Sequence, residues 1–454
     1  MIHLPRAALA AAMTASIFVL SACGAASLAP SLIPESDLSA GDITNGDVAA
    51  PSSTSPELPE VEGSDGGDLD RIAAQTIADM RGLVDLPDFR VVSWDSTQPH
   101  GNSWCRGDIK DTLRNAVVCR VDPLLIGWDR TFLRKLHDAN GDLGVALVIA
   151  HEMGHIADVT SDAGEGASVI VREQRADCVA GAYIRSQRDA GEIPEDAVGS
   201  AFLAMLTFAD APLKPGQNPA DAHGTGGERL GAMLQGFNGD VDTCLSITQP
   251  EVDDRRLRLP LTVAEGEGDM TWNPRVIDGA YSTANAFTGG IEPPRFVFDP
   301  CLPGDRPVTI CPDGSVYVTP ESLTSYTDTI RRAATTRVGD GTGLGPLVNI
   351  VVNRWLASQD IPTTGEQAAL RAACVTGITL ARMTVDVIGA PIVLSAGDVD
   401  EALTEVLTRG LTTADRDGNP PASVPDRAEA FLKGVYDVTG PGACVQAYPV
   451  GAGG

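Results

Sequence analysis

The chain is 454 residues long, and 61 acidic against 33 basic side chains leave it with a formal charge of −28. Nucleic acid and anionic lipid surfaces carry the same sign, so that balance argues against both as partners. The length beyond the first 67 or so residues exceeds what one core usually organises and suits two domains.

At the start, Arg6 precedes an apolar run over 7–20 and the small residues Ser21 and Ala22. This is the layout of a secretory signal over 1–23, and the run is short for a bilayer span. Leu20-Ser-Ala-Cys23-Gly24 resembles the lipobox of bacterial lipoproteins. The resemblance implies that Cys23 is acylated and that the chain is exported and lipid-anchored to the cell membrane, facing outward in the envelope. An ordinary signal with an incidental cysteine is the alternative, and it also implies export. Residues 24–67 are rich in Pro, Ser, Gly, Asp and Glu, as in a flexible acidic linker. No later segment reads as apolar for long enough to cross a membrane.

Next comes helical periodicity over 69–82, then short β-rich runs at 89–93 and 116–121, with mostly helical patterning afterwards. The fold class is therefore α+β, mainly α. Residues 144–158 read as an apolar helix that abruptly carries His151, Glu152 and His155. Imidazoles at i and i+4 share one helix face and can hold one Zn²⁺, with the neighbouring glutamate as general base on the attacking water. A catalytic zinc needs a third protein ligand. Glu173 supplies one if the next helical run folds back after the Gly- and Asp-rich loop at 160–166. Asp177, one turn further on, is placed to accept from the other ring nitrogen of a ligand histidine.

His151-Glu-Met-Gly-His155, Glu173-x-x-Ala-Asp177-Cys178-x-Ala-Gly181 and His223-Gly-Thr-x-x-x-Arg229 ahead of Gly236-Phe237 together resemble the bacterial neutral zinc metallopeptidases. The likeness covers about 100–245. It implies a zincin-like fold with a glutamate ligand, one Zn²⁺ and a peptide or protein substrate. The chain departs from the family at Ile156, where a further histidine often stands. His223 has two readings: a donor to the oxyanion, or a structural residue ahead of a helix capped by Thr225. Tyr183 is a weaker candidate for the first role, being better placed for core. His3 lies in the signal, His100 and His137 read as surface residues, and Gly-rich 339–345 lacks a phosphate-loop context.

Apart from Cys23 the cysteines fall into two sets of four, Cys105, Cys119, Cys178 and Cys244, then Cys301, Cys311, Cys374 and Cys444. An even number in an exported chain favours disulfides. The repeated spacing suggests that the first two of each set pair locally and the last two over a longer loop, although three pairings per set are open. Residues 141–151 lie over 343–353, 175–181 over 371–377 and 229–236 over 427–434, while Phe89-Arg-Val-Val matches Phe296-Val-Phe. Such in-register matches point to duplication: a metallopeptidase-like domain at 68–248 and a degenerate repeat at 270–446, joined by polar 251–269. In that alignment His151 faces Asn353, Glu152 faces Arg354, His155 faces Ala357, Glu173 faces Ala369, Asp177 faces Ala373 and His223 faces Pro421. The repeat is thus expected to hold no zinc and to stabilise, regulate or recruit a protein partner. The rival to an enzyme is a zinc-containing envelope scaffold that works by binding alone.

Overall fold

The computed structural model describes residues 57–450 apart from 99–103, 106–111, 220–221, 257–258, 264–267, 305, 335–336, 386–389 and 437–438. The signal at 1–23, Cys23, most of the acidic linker, His3 and His100 lie outside the described residues. Helix accounts for 58% and strand for 7%, so the protein is mainly α with two small mixed sheets.

The first half begins with α1 (Asp68–Leu83), whose Leu69, Ile72, Ala73, Ile77 and Met80 form the buried stripe that a 3.6-residue period dictates. Buried Asp70 ties this helix to the sheet by accepting from Ser93 Oγ at 2.6 Å and Trp128 Nε1 at 2.8 Å. Strands β1 (Arg90–Trp94), β2 (Ala116–Val118) and β3 (Leu125–Asp129) lie in the order β1-β3-β2, with β1 parallel and β2 antiparallel to β3. Helices α2 (Arg130–Thr160), α3 (Val169–Asp189), α4 (Glu195–Thr207), α5 (Gly226–Asn238), α6 (Val241–Leu245) and α7 (Gln249–Arg256) follow. Asp129 caps α2 by accepting the Thr131 N–H, and Gly141 kinks it with φ of 64°. One stretch of α2 is long and apolar enough to cross a membrane, but 78% of it is packed inside the molecule, as in a core helix.

The second half runs α8 (Pro274–Thr288), β4 (Phe296–Val297), β5 (Val308–Ile310), β6 (Val316–Val318), α9 (Pro320–Ala333), α10 (Asp340–Ser358), α11 (Glu366–Met383), α12 (Asp398–Thr408), α13 (Val424–Tyr436) and α14 (Pro441–Ala447). Its sheet has the order β4-β6-β5, again with the first pair parallel and the second antiparallel. The four disulfides join Cys105 to Cys119, Cys178 to Cys244, Cys301 to Cys311 and Cys374 to Cys444, the expected local and long-loop pairs. Helices α3 and α5 cross so closely that a Cβ on Gly181 would overlap the Met233 carbonyl, and one on Gly236 the Cys178 carbonyl. Gly377 against Phe431 and Gly434 against Cys374 do the same for α11 and α13.

The halves share one continuous apolar core. Asp400 at the start of α12 is fully engaged across the join, accepting the N–H groups of Gly226 and Gly227 at 2.8 Å each and so closing the N-terminus of α5.

Two boundaries differ from those read in composition. The linker's last residues are docked: Glu62 exchanges backbone hydrogen bonds with Val91 and Ser93, its carboxylate takes the Arg90 guanidinium at 2.8 Å, and Val61 packs on the core. The polar joining segment opens with α7, where Val252 is buried and Arg255 and Arg256 bond Gln235 and Glu228. In both places one apolar residue among polar neighbours anchors the backbone, too weak a signal for a composition window.

Candidate metal centre

Three backbone elements converge on the site. After the Gly141 kink, α2 carries His151 and His155 one turn apart, with ring centroids 4.7 Å apart and planes at 84°. The turn at 161–168 reverses the chain, and α3 crosses back against α2 at Gly154, where a Cβ would come within 2.7 Å of the Ala176 Cα. That crossing brings Glu173 to both imidazoles, with His151 Nε2 to Oε2 and His155 Nε2 to Oε1 each 3.5 Å. The three donors lie within 4.8 Å of one another.

Those separations test whether the residues fit a metal. An N···O distance of 3.5 Å is longer than an ordinary hydrogen bond. Two ligands on a tetrahedral Zn²⁺ with bonds of about 2.0–2.1 Å stand about 3.3–3.4 Å apart. Two imidazoles and one carboxylate, largely buried, are a donor set that could hold a metal ion with a position left for water.

Behind the donors, Asp177 Oδ1 lies 2.8 Å from His151 Nδ1, at hydrogen-bond distance but off the line of a well-aligned bond. The same carboxylate is gripped by Arg229, whose Nε and Nη2 donate at 2.8 and 2.6 Å while Nη1 donates to the Phe208 carbonyl. Burial works against a charged His151, yet Asp177 and Glu173 hold its pKa up at about 10, while burial drives that of His155 down to about 4. A metal cation bound here would compete with protons for these nitrogens. Burial opposes the ionisation of Glu173, but the two imidazoles hold its pKa far below the carboxylate norm.

Glu152 is 7% exposed and accepts the Val118 N–H at 2.8 Å. Burial lifts its pKa to about 7, close to where a general base is most effective at neutral pH. The Val118 contact shows that the edge of β2 away from β3 runs past this carboxylate.

His223 is placed beside this group rather than in it. Its backbone N–H donates to Asp210 Oδ2 at 2.5 Å, and its Nδ1 is 3.5 Å from Asp210 Oδ1. Asp210 raises its pKa against burial, and the charge of Glu173 adds to the rise. Thr225 caps α5 in a reciprocal box with Glu228, so capping is done without the His223 side chain. Tyr183 is buried core, its pKa pushed up to about 12 by burial. His137 pairs with Asp142 at 3.0 Å on the surface.

Sequence reasoning missed the grip of Arg229 on Asp177, the Val118 amide and the acid Asp210. The first carried a signal in hindsight, since a buried arginine needs an acceptor and both Asp177 and Arg229 stand in the motif read for the site. Comparison with protein-family models, with curated proteins and with solved structures gave no match.

Proposed function

We propose that the first half is a zinc-dependent metallopeptidase, zincin-like in fold, which hydrolyses peptide bonds of envelope peptides or proteins from a lipid anchor on Cys23. The second half, on this reading, is a degenerate repeat of the same domain without a catalytic zinc. The observation that carries the proposal is the convergence of His151, His155 and Glu173 beside a buried Glu152 whose pKa stands near neutrality.

His151 and His155 bind through Nε2 and Glu173 through its carboxylate, with Asp177 and Arg229 orienting His151. Zn²⁺ held there supplies Lewis acidity to the scissile carbonyl and acidifies the attacking water. Glu152 takes the proton from that water and passes it to the leaving amine. His223, whose pKa Asp210 raises, donates to the carbonyl oxygen as negative charge grows on it. The matched element order, strand directions and disulfides of the two halves support duplication.

Metal analysis and digestion of a peptide pool by the purified chain test this reading. About one zinc per chain is expected, with cleavage that disappears in Glu152→Gln. Zinc without Glu152-dependent cleavage would make the protein a scaffold, and no zinc would remove both versions.

A further inference from the structure

A second set of ligand-like atoms lies about the start of α10, far in sequence from the histidines. Carboxylate oxygens of Asp269, Asp340 and Glu401 fall within 4.8 Å of one another. A Cβ on Gly339 would come within 2.6 Å of Asp269 Oδ1 and closer still to Glu401 Oε1, so both oxygens are aimed at one point over a residue with no side chain. Two of the acids are partly satisfied by amides: Met270 N–H donates to Asp340 Oδ2 at 2.7 Å, and Gly341 N–H to Glu401 Oε2 at 2.8 Å. Asp340 is only 3% exposed, and its remaining oxygen Oδ1 has no hydrogen-bond partner. A buried carboxylate oxygen left bare is costly and calls for an explanation. A fourth acid, Asp398, stands beside the group and is held by Ser395 through N–H and Oγ at 2.8 Å. Among the described residues no Lys, Arg or His is within ion-pair distance of any of the four. Burial and mutual repulsion lift Glu401 to about 9 and Asp398 to about 7. The helix N-termini of α10 and α12 relieve part of this charge, but they leave Asp340 Oδ1 bare.

We propose that Asp269, Asp340 and Glu401 form a binding site for a hard divalent cation, Ca²⁺, distinct from the histidine centre. The donors are all oxygen, without the nitrogen or sulfur ligands that favour zinc. Negative charge is in excess, as a dication requires. Four disulfides fit an oxidising compartment outside the cytosol, where weak calcium sites are filled. The site joins three pieces of chain: the segment between the halves through Asp269, the start of α10 through Asp340 and the start of α12 through Glu401. Next to Glu401, Asp400 holds the Gly226 and Gly227 amides of the first half. Calcium therefore clamps the joining segment to the helix that docks the two halves.

The test uses the full chain stripped of metal, with Tb³⁺ and Ca²⁺ as probes. Trp272, buried three residues after Asp269 and packed near Gly343, sensitises bound Tb³⁺. Saturable Tb³⁺ emission is expected, displaced by Ca²⁺ with a Kd of about 10⁻⁴–10⁻³ M, together with a Ca²⁺-dependent rise in Tm. Asp269→Asn and Glu401→Gln each weaken Ca²⁺ at least tenfold. Without Ca²⁺ both variants melt at or above the wild-type temperature, because each relieves the crowding of acids at this point, and wild type overtakes them when Ca²⁺ is added. His151→Ala binds Ca²⁺ like wild type, which separates this outcome from the fate of the zinc proposal. No saturable response up to about 10 mM Ca²⁺, wild-type affinity in both variants, or equal affinity for Mg²⁺ would overturn the assignment.

Discussion

Arg229 in the first half and Arg427 in the second occupy matching places on α5 and α13, yet their surroundings pull them in opposite directions. Both reach back to a helix-end carbonyl, Arg229 to Phe208 at 2.8 Å and Arg427 to Leu407 at 3.1 Å. Among the described residues only Arg229 is ion-paired, to Asp177, whereas Glu405 acts on Arg427 without a bond between them. Against the cost of burial, the Asp177 carboxylate raises the pKa of Arg229, whereas burial lowers that of Arg427. The buried position facing Asp177 across the alignment is Ala373. The shared contact closes a helix end and belongs to the scaffold, while the carboxylate is what the histidine site adds. The same division holds at the donors. Where His151 stands in one half, Asn353 in the other turns inward, donating to the carbonyls of Asn349 and Ala414 at 3.1 Å. Where Glu152 stands, Arg354 donates to Tyr281 and to the carbonyls of Gly314 and Glu292. Asn353, Arg354, Ala357 and Arg416 line a hollow in the second half together with Glu292, a cleft with one carboxylate and no histidine. The second half folds without these histidines and acids, so their presence in the first calls for a chemical reason.

The largest effect that would break this contrast is on metal content. His151→Ala is expected to take bound zinc from about one per chain to none and peptide cleavage to background, while Asn353→Ala leaves both unchanged. Zinc lost equally from the two variants would put the site elsewhere. Next, Glu152→Gln is expected to keep zinc and lower kcat/KM by about 10²–10⁴, while Arg354→Ala leaves it in place. The pH dependence follows from the burial that holds Glu152 at about 7. The base form is lost as pH falls through that pKa, so activity drops on the acid side; a bound cation moves the limb lower. Stability runs the other way. A carboxyl whose folded pKa lies above its unfolded value destabilises the fold as pH rises from about 4.5 to 7. Glu152→Gln is therefore expected not to lower Tm at neutral pH, and a clear drop would mean that the Val118 contact outweighs the buried charge.

A third comparison concerns scaffold rather than site. Cys178–Cys244 and Cys374–Cys444 close loops of 66 and 70 residues, so the unfolded chain gains nearly the same freedom when either is cut. Replacing either pair by alanines is expected to cost about 2–5 kcal/mol, equally for the two halves. Denaturant unfolding reads this directly, and a several-fold difference would show that the halves are not equivalent scaffolds.

What was legible in the sequence was local. His151, Glu152 and His155 sit within one helical turn, where geometry follows from spacing, and Glu173 and Asp177 sit one turn apart on the next helix. The disulfide pairs were legible because the spacing occurs twice. Strand β3 was not, since Leu125–Asp129 is buried at every position and lacks the alternation that marks a half-exposed strand. Nor was the docking of the halves, because Asp400 meets Gly226 from 174 positions away. Asp269, Asp340 and Glu401 are likewise gathered by helix packing, and no short window holds two of them.

The smallest of the effects sharpens the contrast most, because it acts on the residue that separates Arg229 from Arg427. Asp177→Asn keeps the shape, removes the charge facing Arg229 and weakens the hold on His151 Nδ1. Loss of such a partner is expected to lower zinc affinity about 10–100-fold, read by competition with a chromophoric chelator. Removing one side of a buried ion pair commonly costs about 3–5 kcal/mol, which would confound that reading. The second half argues that the cost here is smaller, since Arg427 is buried with no ion-pair partner, feels only the nearby charge of Glu405 and keeps its carbonyl contact. Asp177→Asn should therefore fold, with Arg229 still bonded to Phe208, and Asp177→Ala should fold too. If both unfold the first half, the carboxylate is part of the scaffold there and the likeness of the two arginines ends at their position. If both fold and bind zinc as tightly as wild type, the contact between Asp177 and His151 has no part in holding metal.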